Sequence, residues 1–131
     1  ARAFHMGRAF VDFAYANTTL WRMMFGRIGL MCREDHKADP EIMRYTILDC
    51  SAQNCRDLHR MGGLPDAPEI EDIRFVWSAI HGAADLAQSG LRLDGDGRET
   101  VAEQTTERSL RALGCPQALI VKGRRALETR S

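Results

Sequence analysis

The sequence predicts an all-α helical bundle of four long helices and one short one, and three observations carry that prediction. Apolar residues recur at spacings of three and four, and no stretch alternates in the manner of a strand. Two segments, "DPEI" and "DAPE", place an aspartate ahead of a proline in the first turn and a glutamate facing the helix dipole. Glycines stand where the apolar periodicity stops, at Gly26, Gly62-Gly63, Gly90 and Gly114. A chain of 131 residues holds one domain with a real core and is too short for two of ordinary size. Positions 1–131 are therefore read as a single helical domain.

The first helix, about Arg2 to Ala16, carries Phe4, Met6, Gly7, Phe10, Val11, Phe13, Ala14 and Tyr15 on an arc of roughly 200°. Only Arg2, His5, Arg8 and Asp12 form a polar strip, so this helix should be the central one, surrounded by others. "NTTLWRMMFG" gives a short helix that Asn17 or Thr18 can cap and Gly26 can end. Arg27 to Ala38 reads as a loop with a frayed turn. Asp39 and Pro40 then open a helix whose buried stripe is Met43, Ile47, Cys50, Asn54, Leu58 and Met61. Asn54 is the polar member of that apolar face.

Asp66 caps the next helix, with Pro68 in its first turn and Glu69 closing a capping box. It runs to about Ser89 with an apolar arc of roughly 220°. "DGDG" is a turn, and the last long helix covers about Arg98 to Leu113, with Val101, Ala102, Thr105, Leu110, Ala112 and Leu113. The tail from Gln117, "QALIVKGRRALETRS", can add a short helix whose basic residues lie in solvent.

Composition excludes several classes. Hydrophobic residues at 44% and charged residues at 27% belong to a globular protein rather than a disordered one. Lys plus Arg and Asp plus Glu are both 18, which gives no basic excess for gripping phosphates. No apolar run reaches the ~20 residues a bilayer-spanning helix needs, and no secretory signal opens the chain. It begins without Met, directly in a helical pattern, as a fragment or trimmed chain does. Cys32, Cys50, Cys55 and Cys115 show no CxxC or finger spacing, so reduced thiols in a cytoplasmic protein are expected, with no zinc. No cofactor is called for.

Two stretches then resemble a known family. "GRAFVDFAYANTTLWRMMFG", Gly7 to Gly26, resembles the first helices of the C-terminal domain of TetR/AcrR-type transcriptional regulators. "FVWSAIHGAADLAQSGLRL", Phe75 to Leu93, resembles the Trp-x-x-x-His-Gly helix that marks one subgroup of these domains. Order and spacing also fit, over about residues 4 to 113. The resemblance implies an effector-binding and dimerising domain whose parent protein binds operator DNA through an N-terminal helix-turn-helix. Nothing before Phe4 supplies such a motif, which needs three helices of its own, so DNA binding is expected only of the absent domain. Asn17-Thr18-Thr19 stands where that family often has a proline.

His81 lies about 40° from Trp77 on the wheel, so the two rings share a face. A metal or acid–base role lacks partners, since Asp85 turns toward solvent and no Glu-x-x-His motif occurs. A packed histidine bonded to a neighbouring carbonyl or hydroxyl is one alternative. A polar handle on an apolar cavity is favoured, because such cavities pair aromatic walls with a few orienting polar groups. The expected ligand site is Phe10, Phe13, Trp21, Met24, Phe25, Met43, Ile47, Cys50, Asn54, Trp77 and His81, taking a small, mostly apolar effector. Six methionines suit varied apolar ligands.

The fourth helix bears more apolar surface than its own bundle covers. Phe75, Ala79, Gly82 and Leu86 lie away from Ile73, Trp77 and Ile80, alternating large and small side chains. In the resembled family the last two helices form a four-helix dimer interface, which here implies those four residues with Val101, Leu110 and Leu113. Coverage by the C-terminal tail is the alternative. The sequence thus reads as a homodimeric, non-enzymatic regulator domain without membrane contact. Its rival is a free-standing four-helix enzyme or metal carrier using His5, His36, His59 and His81.

Overall fold

A computed structural model describes residues 1–25, 47–89 and 97–129, and six helices run through them. They are α1 (Arg2–Ala16), α2 (Thr18–Phe25), α3 (Ile47–Arg60), α4 (Ile70–Ser89), α5 (Arg98–Ala112) and α6 (Gln117–Glu128). The chain is all-α, with no strand among the described residues. The expected features at Gly26, Arg27 to Ala38, Asp39, Pro40, Met43 and Gly90 lie outside the described residues.

α1 is central, as its wide apolar arc requires. Phe4, Gly7, Val11 and Ala14 are buried, and the helix packs against α2, α4, α5 and α6. Gly7 makes the crossing with α5 possible: a Cβ there would run into Thr106 Oγ1 and sit 3.3 Å from Ile80 Cδ1. Its polar strip is paired outward, with Arg8 bonded to Glu99 and Arg2 to Asp57 at 2.9 Å.

Three local signals resolve differently from expectation. Asn17 closes α1 rather than capping α2, because its side-chain amide donates back to the Phe13 carbonyl at 3.0 Å. α4 starts at Ile70, four residues beyond the expected Asp66 cap. There the Asp72 carboxylate accepts from the Glu69 N–H at 2.9 Å, which supplies half of a capping box. The stripe on α3 is rotated, so that Ser51, Ala52 and Cys55 are buried whereas Met61 is 81% exposed.

The two glycine stops among the described residues behave as read. Gly62 and Gly114 both adopt left-handed backbone, with φ of 76° and 84°. After each, a 6→1 bond returns the chain, from Gly63 N–H to Leu58 and from Cys115 N–H to Leu110.

Two apolar cores share α1. The first gathers Phe4, Leu64, Leu110, Cys115, Ile120 and Leu127, so the tail is a packed helix rather than an appendage. The second gathers Val11, Ala14, Trp21, Ala83, Ala84 and Ala102, with Phe10, Phe13, Phe25 and Ile80 against them.

Candidate functional site

A cavity of ≈ 420 Å³ opens between the two cores. Leu58, Leu110 and Leu113 from the first core line it, and Phe10, Phe13 and Ile80 from the second. Its size lies within the range that encloses small organic ligands. α1 contributes Ala3, Met6, Gly7 and Ala9 besides its two phenylalanines, α2 contributes Met24, and α4 contributes Val76 and Trp77. The space exists because the helices present small side chains where they face it: Gly7 on α1, Ser51 and Cys55 on α3, and Thr105, Thr106 and Ser109 on α5.

The polar part of this wall is neutral. Ser51 and Asn54 come from α3, and Thr105, Thr106 and Ser109 from α5. Thr106 is satisfied within its own helix, donating to the Ala102 carbonyl at 2.8 Å. The side chains of Ser51, Asn54, Thr105 and Ser109 have no hydrogen-bond partner among the described residues. Burial pushes the Cys55 thiol up, the Asp72 carboxylate adds to this, and Arg56 opposes it. No charged side chain lines the cavity among the described residues. Nearby, Asp57 is turned to Gln53 and Arg2, which hold its carboxyl below the ordinary range, the Gln53 bond counting most.

The sequence-predicted set divides in two. Phe10, Phe13, Met24, Asn54 and Trp77 line the cavity. Trp21, Phe25 and His81 do not; they pack behind its wall, and Cys50 is exposed on α3. Ile47 opens α3, and Met43 lies outside the described residues. The His81 ring sits within an aromatic cluster, 4.9 Å from Trp21, 4.9 Å from Phe25 and 5.7 Å from Trp77 between centroids. Its Nδ1 is buried without a partner, and the ring lines not this cavity but a second one of ≈ 300 Å³ with Trp21, Phe25 and Asp85. Asp85 is exposed as expected, and from there it accepts a bond from Trp21 Nε1 at 2.9 Å and lies 3.9 Å from His81 Nε2. The residues that sequence reasoning passed over are the small polar ones. Thr105 and Ser109 stand four apart on one face of α5, a spacing that was available as a signal.

The residues assigned to an interface also divide. Phe75 and Leu86 are 49% and 45% exposed, with Ala79 and Gly82 between them on α4. A Cβ on Gly82 would meet nothing within 4 Å, so no neighbour within the subunit uses that gap among the described residues. On α5 the expectation is corrected: Leu110 is 9% exposed, Leu113 packs beside it, and both line the cavity. Val101 packs on the second core. These three face inward because α5 lies against α1, α4 and α6.

A family model described as "Tetracyclin repressor-like, C-terminal domain" matches residues 3–113. That span holds α1 to α5 and the described lining of the cavity. No curated protein and no solved structure matches the chain.

Proposed function

The chain belongs to the tetracyclin repressor-like C-terminal domain family, and from that premise we propose that it is the effector-binding and dimerisation domain of a cytoplasmic transcriptional regulator. The observation that carries this reading is the cavity of ≈ 420 Å³, walled by apolar side chains and lying within the matched residues. A small, mostly apolar effector fills it. Occupancy favours one arrangement of α1, α4 and α5, the helices that share the cavity wall, and so shifts the population of the attached operator-binding helix-turn-helix domain. The Trp77, His81 and Gly82 pattern supports assigning it to the Trp-x-x-x-His-Gly subgroup.

A second copy of the chain covers α4. The stripe Phe75, Ala79, Gly82 and Leu86 exposes two large apolar side chains beside an open gap at Gly82, and it can meet its own symmetry copy. No helix of the described residues is long and apolar enough to cross a membrane. The enzyme or metal-carrier reading draws little support. His5, His59 and His81 stand on α1, α3 and α4, His36 lies outside the described residues, and no three donor side chains gather among those described.

The test is a thermal-shift panel of uncharged hydrophobic compounds, with sedimentation run on the same samples. Saturating ligand should raise the melting temperature of a dimer, with about 2.7 kcal/mol of stabilisation at a hundred times the dissociation constant. Val76→Trp, which fills the cavity, should abolish the response. A panel with no active member would remove the effector reading, and a monomer at micromolar concentration would remove the dimer.

A further inference from the structure

We propose that the ligand of the cavity is an uncharged amphiphile with one polar end, an apolar body carrying a single hydroxyl, carbonyl or amide held by the α3 and α5 side chains. This rests on the reading that the cavity is the ligand site. Ser51 and Ser109 are 9% and 5% exposed, both line the cavity, and neither hydroxyl has a partner among the described residues. Buried polar groups in native proteins are nearly always hydrogen-bonded. The Ser51 and Ser109 oxygens keep access to the cavity, and they are the part of an otherwise apolar wall that can pair with a polar group.

Asn54 stands three residues from Ser51 on α3, and Thr105 four residues from Ser109 on α5, so each helix brings a pair to one face. Hydroxyl and amide groups both donate and accept, which suits an alcohol, a ketone or an amide equally. They carry no charge. A carboxylate or ammonium entering this space would lose its hydration and find no counter-charge among the described lining. Arg2 and Arg8, which adjoin lining residues on α1, are engaged elsewhere, Arg8 with Glu99 and Arg2 with Asp57. The remaining wall, with Met6, Phe10, Phe13, Leu58, Trp77 and Ile80, takes the apolar body.

Decanol, decanoate and decylamine separate the possibilities, because their chains match and only the head differs. Calorimetric titration at neutral pH should show decanol binding about a hundredfold more tightly than either charged compound. Ser51→Ala and Ser109→Ala should each weaken decanol by about threefold to tenfold while the unliganded melting temperature barely moves. Decanoate or decylamine binding within about tenfold of decanol would overturn the inference and leave the cavity reading intact. Unchanged decanol affinity in both serine variants would do the same. Failure of all three compounds to bind, with none raising the melting temperature, would overturn the cavity reading and this inference with it.

Discussion

Phe10 and Trp77 belong to a wall whose two sides differ. One side is the cavity; on the other, the His81 ring fills the space between Trp21 and Phe25. Aromatic content does not distinguish them, since the filled side is the richer in rings. Phe10, Trp21 and Phe25 meet edge-on or tilted at centroid distances of 4.5 to 6.2 Å, and the space beyond them is a separate cavity of ≈ 300 Å³ that Arg22, Asp85 and Gln88 make polar. The hollow side faces Gly7, Ser51, Cys55, Thr105, Thr106 and Ser109. Space in this bundle comes from small side chains on facing helices, and the large rings only give it a wall.

Truncation on the filled side should have the largest effect. Trp21 is 2% exposed and bonded to Asp85, so Trp21→Ala removes a ring packed on every side. It should cost about 3–5 kcal/mol in urea unfolding. Val76 borders empty space, and Val76→Ala should cost only about 1 kcal/mol, because little packing is lost there. Equal losses would erase the distinction between the two sides.

The fold was largely legible in the sequence; the division of the expected ligand set between two sides of one wall was not. Periodicity, the glycine stops and the wide arc of the first helix reported local backbone and burial, which neighbouring residues determine. The tail was less legible: Ile120 and Leu127 are buried, yet their spacing among basic residues gave no strong stripe. The cavity wall depends on how helices rotate against one another. On α3 a rotation of one residue exchanged Cys50 for Ser51 and Cys55, and no feature of that helix alone fixes such a rotation. His81 was chosen for its hydrogen-bonding capacity and its place beside Trp77. That place is real, at 5.7 Å, but the ring turns into the cluster and away from the space.

A histidine that only fills should be replaceable by a side chain of similar bulk. His81→Leu removes a buried nitrogen without a partner, which offsets the loss of ring contacts. Stability should change by less than about 1 kcal/mol, and affinity for an apolar ligand by no more than about twofold. Titration of the variant with decanol checks this. A tenfold loss of affinity restricted to ligands with an acceptor would return His81 to the ligand site.

The smallest effect reads the wall through its thiols. Cys50 and Cys55 lie on the same helix, one exposed and one buried against the cavity, while Cys115 is buried in the other core. The thiolate is the form that alkylates, and burial raises the Cys55 and Cys115 thiols above their ordinary value. At neutral pH both should stay protonated and react with N-ethylmaleimide at least about tenfold more slowly than Cys50. As pH rises past the ordinary thiol range the Cys55 and Cys115 rates should go on climbing, since a raised value postpones ionisation. A bound ligand adds a difference that burial alone cannot give: it should slow Cys55, which borders the cavity, and leave Cys115 unchanged. Mass spectrometry of a Cys32→Ser variant, with and without decanol, resolves the three sites. Equal protection of Cys55 and Cys115 would mean that the ligand tightens the whole bundle, and protection of neither would place it away from α3.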